Sequence, residues 1–239
     1  MRRGFKCKKE ALNLLIASYD DIVSTAYDRN HLKAIQDFEK ISENELRRKL
    51  SQFYKNEKSL NQAWKTCKGE LYEYATFKLV KQLVLSDKEL REKFEVLRGE
   101  DALSIYGSQI RIRNWSDIFP DVDVLLVENG KVKVIMSCKT SLRERLTETA
   151  FWKRELERRS ETKNIKLVFV TTNKDKELEG NTNRYMVLHV LDHTFITDPE
   201  MYQSLIKTYK RRYGYREDFA FLTQKISFID ALVEFLRKT

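Results

Sequence analysis

Residues 120–148 constrain the fold of this chain most, because two apolar runs there flank an Asn-Gly pair. Asn129-Gly130 is the pair that tight β-hairpin turns prefer, and the runs on either side are rich in β-branched residues. Asp121 and Asp123 open the first run, and Lys139 follows the second. The stretch predicts a β-hairpin with carboxylates at the start of one strand and an amine at the end of the next.

The rest of the chain alternates between helical and strand-like patterns, with a polar stretch at Asn56–Asn61. Helices are predicted within 7–60 and over 64–85, 142–159, 199–213 and 226–237, and further strands over 109–113, 165–171 and 185–191. This order predicts the α/β class, with a central mixed β-sheet flanked by helices and an N-terminal helical region. We expect an N-terminal helical region over 1–60 and a core over 61–239.

Charge and composition narrow the class of partner. The formal net charge is +9, which favours nucleic acid through phosphate neutralisation, although many basic proteins bind nothing acidic. No apolar run approaches the roughly 18 residues of a membrane span, and the N-terminus lacks the apolar core of an export signal. The 3 cysteines are widely scattered, so we expect no disulfide and a reducing cytoplasm.

The register of the hairpin decides whether its polar residues can meet. A plain two-residue turn at Asn129-Gly130 would place Asp123 opposite Met136, with Lys139 pointing to the other face. A bulge or a three-residue loop shifts the register by one residue, pairing Asp123 with Ser137 and bringing all the polar side chains to one face. We therefore predict an irregular hairpin; a regular one would exclude a joint site.

Carboxylates and a lysine at adjacent strand ends suit phosphodiester hydrolysis. That reaction needs a hard divalent cation held by oxygen ligands, an activated water, and a positive group near the developing charge. Pro120-Asp121 or Asp123 on one strand and Ser137-Cys138-Lys139 on the next resemble the motif of the PD-(D/E)XK nuclease superfamily. The chain departs from that motif at Ser137, where the second acidic residue usually lies.

Two linked motifs narrow the resemblance. The first motif is Lys139 followed by Arg143-Glu144-Arg145. It resembles a motif of the type II restriction endonucleases that read CCGG, or CC and GG separated by a central base pair. Within that group the resemblance is closest to the BsaWI-like branch. Trp64-Lys65, Gly69 and Glu73 resemble the helix that supplies an extra glutamate in that group. The resemblance covers roughly residues 62–150 and implies a restriction-endonuclease-like core.

The resemblance implies roles for individual residues. Asp123 is the first choice for metal ligand and Asp121 the alternative, Lys139 is the catalytic lysine, and Glu73 completes the site from its helix. In the subgroup, a glutamate on a helix replaces the missing strand acid. Here we prefer Glu148 to Glu155 for that role. The alternative, that Glu148 is a solvated carboxylate on a helix surface, is equally consistent with the sequence. The implied cofactor is Mg²⁺, with Mn²⁺ able to substitute.

Arg143, Glu144 and Arg145 have the chemistry to read bases. Arginine donates two hydrogen bonds to guanine, and glutamate accepts from cytosine N4. Without the nuclease motif the same cluster would be a charged first turn of a surface helix.

These residues predict a type II restriction endonuclease, part of a restriction-modification system. It would cut double-stranded DNA at a short CC/GG palindrome as a prokaryotic cytoplasmic homodimer, with no membrane partner and no small-molecule substrate. The alternatives are a repair or junction nuclease of the same fold and a non-enzymatic, basic nucleic-acid-binding protein.

Overall fold

The structure, a computed structural model, describes residues 6–112, 115, 117–142 and 145–239. The described part of the chain forms three layers, with one mixed β-sheet between two layers of helices. The α/β class, the central mixed sheet and the N-terminal helical region are therefore confirmed.

Helices dominate the first third of the chain. The elements there are α1 (Lys9–Ala26), α2 (His31–Gln36), α3 (Phe38–Ile41), a π-helical turn (Ser42–Leu46), a 3₁₀ helix (Arg47–Phe53) and the long helix α4 (Glu57–Ser86). The Asn56 side chain accepts the Ser59 N–H at 2.9 Å, which caps the start of α4. This polar stretch therefore begins a helix, and the division of the chain near residue 60 stays a prediction.

The remaining elements build the sheet and its outer layer. They are α5 (Lys88–Lys93), β1 (Glu95–Arg98), α6 (Gly99–Ile110), β2 (Val124–Glu128), β3 (Lys131–Lys139), α7 (Arg145–Glu157), β4 (Lys166–Thr171), a 3₁₀ helix (Glu177–Glu179), α8 (Asn181–Tyr185), a π-helical turn (Met186–Val190), β5 (His193–Ile196), α9 (Pro199–Tyr213), α10 (Phe219–Thr223), β6 (Ile226–Phe228), a 3₁₀ helix (Ile229–Ala231) and α11 (Leu232–Lys238).

Among the described residues, six strands lie in the sheet in chain order, β1 to β6. β1, β2 and β3 are antiparallel neighbours, whereas β3, β4, β5 and β6 run parallel to one another. Because β3 and β4 are parallel, Lys139 pairs with Thr171, and both strands end at the same edge of the sheet.

The hairpin of β2 and β3 is irregular, as predicted. Asn129 and Gly130 have φ values of 50° and 71°, which fit a two-residue turn with two left-handed positions. Val127 pairs with Val132, but Leu126 pairs with Val134, so Lys133 is the extra residue of a β-bulge. The bulge shifts the register by one residue, which is the shift that the joint site requires.

Each face of the sheet is covered by a different set of helices. Alternate residues of β2 and β3, among them Leu126, Val134 and Met136, pack in one apolar cluster with α1, α4 and α11. Leu125 and Ile135 face the other way, toward α6 and α7. The N-terminal helices therefore share their core with the sheet.

Three stretches differ from the sequence prediction. The predicted strand at 109–113 begins as the end of α6, and Ile112 forms only an isolated bridge with Ile118; Arg113 lies outside the described residues. The predicted strand at 185–191 is the end of α8 and a π-helical turn, because its apolar residues pack against α7 and α9. The predicted helix at 226–237 opens with the edge strand β6.

The cysteines also differ from the prediction. Cys7 and Cys67 form a disulfide that joins the N-terminal segment to α4, and Cys138 is free and buried. The expectation of no disulfide was wrong, because a sequence separation of 60 residues gave no sign that the fold brings these two thiols together. In the described part of the chain, no helix is long and apolar enough to cross a bilayer.

Candidate active site

Three carboxylates converge on one buried lysine at the carboxyl end of β3. The Nζ atom of Lys139 lies 2.7 Å from Oδ2 of Asp123, 2.8 Å from Oδ2 of Asp121 and 3.1 Å from Oε1 of Glu73. Lys139 is 3% exposed and Asp123 is 6% exposed, so this is an ion cluster largely shielded from solvent. Four residues that the sequence singled out therefore meet at one point.

The bulge in β3 and the length of α4 bring these residues together. Asp123 lies directly before β2, and its N–H donates to the Met136 carbonyl at 3.1 Å, which continues the shifted register. Its Oδ2 also accepts the Cys138 N–H at 2.6 Å, so the backbone of β3 orients the carboxylate. Glu73 comes from the middle of α4, where buried residues such as Tyr72 hold the helix against the sheet.

The cluster carries more negative than positive charge. Burial alone would lower the pKa of Lys139, but the charges of Asp123, Glu73 and Asp121 together raise that pKa above its ordinary value. Burial and the charge of Glu73 raise the pKa of Asp123 well above its usual range, and burial raises the pKa of Glu73 despite the ion pair with Lys139. One ammonium therefore does not compensate the three carboxylates around it.

This donor set fits a hard divalent cation by its chemistry. Carboxylate oxygens are the ligands that Mg²⁺ prefers, and a cation would offset the burial and the like-charge repulsion that raise the pKa values of Asp123 and Glu73. In the described ranges, no three His, Cys, Asp or Glu side chains are already spaced as a metal-binding group. The three carboxylates instead contact the ammonium of Lys139, so an ion at this site would compete with the lysine for them.

The position of the missing strand acid is filled by hydroxyl groups. Ser137 is fully buried, and its Oγ lies 3.5 Å from Oδ2 of Asp121 and 3.3 Å from Oγ1 of Thr149 on α7. Glu148, the neighbour of Thr149, is exposed on the first turn of α7 and is not among the described contacts of Lys139. Glu155 is turned to Arg158, at 3.0 Å. The structure therefore brings Glu73 to the lysine, but neither Glu148 nor Glu155.

The predicted base-reading cluster begins four residues after Lys139. Arg143 and Glu144 lie outside the described residues. Arg145 is the exposed first residue of α7, and its N–H donates to the Leu142 carbonyl at 2.8 Å. An ideal Cβ on Gly69 would lie 3.9 Å from Nη1 of Arg145, so the guanidinium group passes close to α4.

A cavity of about 590 Å³ adjoins this region. It is lined by residues of α4, of the segment after Lys139 and of the loop after β4, including Trp64, Gly69, Ser141, Arg145 and Lys174. The two sequence motifs that the resemblance linked, one on α4 and one after β3, therefore border a common space.

A second buried ion cluster was missed from the sequence. Lys68 is 3% exposed, and its Nζ lies 2.6 Å from Oε2 of Glu39 and 2.7 Å from Oε1 of Glu43. Oγ1 of Thr172 donates to Glu39 at 3.0 Å, so the cluster joins the N-terminal helices, α4 and the end of β4. The sequence signal that could have indicated this cluster is Lys68, which lies one helical turn after Trp64 on the buried face of α4.

Comparison with known proteins gives a consistent family. A family model described as "BsaWI restriction endonuclease type 2" matches residues 100–221. The "Putative type II restriction enzyme MjaVIP" of Methanocaldococcus jannaschii is 29% identical over 172 residues, which are 62% of this chain and 72% of that protein. The "Probable type II restriction enzyme HpyAORF263P" of Helicobacter pylori is 27% identical over 149 residues, 56% of this chain and 76% of that protein.

A solved structure shares the fold. The restriction endonuclease PspGI, solved as a complex with substrate DNA, superposes with a TM-score of 0.63 over 95% of this chain and 92% of that chain. At 16% sequence identity, this likeness shows the fold alone. The family model spans just over half of the chain, across β2, the Asp121, Asp123 and Lys139 cluster and α7. The chain is therefore a nuclease and belongs to the BsaWI family of type 2 restriction endonucleases.

Proposed function

We propose that this chain is a Mg²⁺-dependent type II restriction endonuclease that hydrolyses double-stranded DNA at a short, CCGG-like palindrome containing CC and GG. The observation that carries the proposal is the convergence of Asp121, Asp123 and Glu73 on Lys139, which only three residues separate from the Arg143–Arg145 cluster along the chain. Family membership and the net charge of +9 support DNA as the substrate.

The carboxylates and the lysine divide the chemistry between them. Asp123, with Asp121 as the alternative, and Glu73 would hold Mg²⁺, which supplies the charge that offsets the scissile phosphate and activates a water. Nζ of Lys139 lies within 3.1 Å of an oxygen of all three carboxylates, so it adjoins any ion that they hold. Lys139 would donate hydrogen bonds to the water or the phosphate and stabilise developing negative charge.

Glu73 and Glu148 both remain proposed metal ligands. Glu73 contacts Lys139 directly. Glu148 is next to Thr149, whose hydroxyl lies 3.3 Å from Ser137, the position of the missing acid. We expect Glu73→Gln to lower kcat strongly, and the same substitution at Glu148 decides whether α7 supplies a further carboxylate.

Reading of a palindrome requires two copies of the reading cluster. We propose that Arg143, Glu144 and Arg145 read adjacent G·C pairs, with each good bidentate contact contributing roughly 1–3 kcal/mol of discrimination. A homodimer would place one cluster on each half-site, and the N-terminal helices would form part of the interface or hold DNA. Analytical ultracentrifugation with and without a duplex oligonucleotide tests the dimer.

Digestion of plasmid DNA tests the function. Incubation with Mg²⁺ should give discrete fragments whose sequenced ends share one CC/GG palindrome, and EDTA should abolish cleavage. Mn²⁺ should restore it. Cleavage at branched or damaged DNA without a shared sequence would support the repair or junction nuclease instead, and binding without any cleavage would support the non-enzymatic alternative.

Substitution of the lysine separates catalysis from binding. Lys139→Ala should reduce the cleavage rate by at least about 1,000-fold, because it removes the positive group at the reacting phosphate, while DNA binding measured by gel shift is retained. Lys166→Ala is the matched control, since Lys166 lies on the neighbouring strand β4 outside the site. Equal cleavage by wild type and Lys139→Ala would contradict the assignment.

A further inference from the structure

A carboxylate from the loop after β4 holds the backbone between the catalytic lysine and the reading cluster. Oε2 of Glu177 accepts the Leu142 N–H at 2.7 Å, across 35 residues of sequence. Leu142 lies three residues after Lys139 and directly before Arg143. The carbonyl of Leu142 accepts the N–H of Arg145, the first residue of α7, at 2.8 Å. Glu177 therefore anchors the residue that also accepts the first hydrogen bond of α7.

The loop that carries Glu177, residues 172–179, has a tightly defined conformation. Asn173 and Lys176 both have a φ of 54°, in the left-handed region that non-glycine residues rarely adopt. Asn173 is 3% exposed, its N–H donates to Oγ1 of Thr171 at 3.1 Å, and its Oδ1 accepts the Leu178 N–H at 3.3 Å. Two left-handed residues persist only where the surroundings determine them, and such residues concentrate at functional sites.

The other side of the loop is anchored in the core. Leu178 is fully buried, and its carbonyl accepts the Tyr209 hydroxyl at 2.6 Å. Leu142, Leu146 and Leu178 belong to the same apolar cluster, so the start of α7 and the 3₁₀ helix of the loop share one core. Glu177 is therefore presented to Leu142 by a rigid support.

We propose that Glu177 is a positioning residue for sequence recognition. It holds the Leu142 backbone, whose carbonyl accepts the Arg145 N–H, and thereby sets the position of Arg145, the described residue of the reading cluster, relative to Lys139. Cleavage would then depend on correct base contacts. This inference rests on the proposed function, because it needs that cluster to read bases.

Three variants test this role. Glu177→Ala removes the acceptor, Glu177→Asp keeps the charge but withdraws the carboxylate by one methylene, and Glu177→Gln retains an amide oxygen that can accept from Leu142. Glu179→Ala is the matched control, because Glu179 lies two residues further along the same 3₁₀ helix and faces Arg212 at 3.7 Å. The readout is the ratio of kcat/KM on the cognate duplex to that on duplexes with one base pair replaced, together with Tm.

Glu177→Ala and Glu177→Asp should lower this ratio at least tenfold, while Glu177→Gln and Glu179→Ala stay near wild type. A ratio for Glu177→Asp that equals the wild-type ratio would overturn the proposal. So would a parallel loss of cleavage on all duplexes with a fall in Tm, which indicates a purely structural role.

Arg145→Ala, assayed in parallel, distinguishes a failure of the positioning role from a failure of the proposed function. If it changes the preferred sequence while the Glu177 variants do not, the positioning role fails and the proposed function stands. If wild type cuts without a defined sequence, both fail.

Discussion

Reduction of the Cys7–Cys67 disulfide should lower the free energy of unfolding by about 4 kcal/mol, since the bond closes a loop with a sequence separation of 60 residues. The reduction in chain entropy of the unfolded state sets this value. The unfolding entropy of 239 residues is about 0.5 kcal/mol/K. Dividing the loss in free energy by this unfolding entropy predicts that the Tm of the reduced protein is lower by roughly 8 °C.

Thermal unfolding followed by circular dichroism, with and without a phosphine reductant, measures this shift. The Cys7→Ser variant should melt at the temperature of the reduced wild type and should not respond to reductant. Cys138→Ser should retain the full response, because Cys138 is free. Thiol titration of the denatured, unreduced protein provides an independent check.

Two results would refute the reasoning. One is a Tm that does not change on reduction, which would show that the disulfide does not stabilise the protein by constraining its unfolded chain. The other is three reactive thiols in the denatured, unreduced protein, since the structure pairs two of the 3 cysteines.

Two further predictions concern the buried ion clusters. Asp123→Asn should stabilise the protein relative to wild type in EDTA, and this difference should grow as pH rises above about 4. The raised pKa of Asp123 gives the wild type stability that is fully present below the unfolded pKa and is lost as pH rises through the folded pKa, whereas the amide of the variant does not titrate. A difference in Tm from wild type that is constant or shrinks with rising pH would contradict this. Lys68→Met should lower the free energy of unfolding, measured by urea denaturation, by about 3 kcal/mol, because it leaves Glu39 and Glu43 without their buried partner. Adding Glu39→Gln and Glu43→Gln to this variant should recover part of the loss. A change below about 1 kcal/mol would show that these ions are solvated well enough to need no partner.

Local patterns were sufficient where one interaction dominates. The Asn-Gly pair and its flanking apolar runs predict the hairpin, and the requirement that Asp123 and Lys139 share a face predicts its irregularity; Lys133 provides it as a bulge. The long helix α4, with apolar residues at helical spacing, and strand β4, which is buried on both faces, were likewise predicted from the sequence. An element that is buried on one face has apolar residues at its own helical or strand period, and a strand that is buried on both faces is apolar throughout, so the sequence shows these patterns directly.

Local patterns failed where packing chooses between alternatives. The apolar stretch at 185–191 suits a strand or a helix, and contact with α7 and α9 makes it helical. Strand β1, Glu95–Arg98, has two apolar and two charged residues, too few for a periodic pattern, and its pairing with β2 makes it a strand. The disulfide and Glu177 depend on residues 60 and 35 positions apart, and no local pattern reports such distances.

The sequence by itself therefore indicated the family of this nuclease, and it supplied the predictions of which side chains hold a metal, which donate and which read bases. Only the tertiary structure decided how they meet. The bulge turned Asp123 and Lys139 to one face, and α4 brought Glu73 to the same ammonium. The physical reason is that residue types and their spacing are local properties. The charge balance of a buried cluster and the anchoring of Leu142 by Glu177 arise only when distant segments pack together.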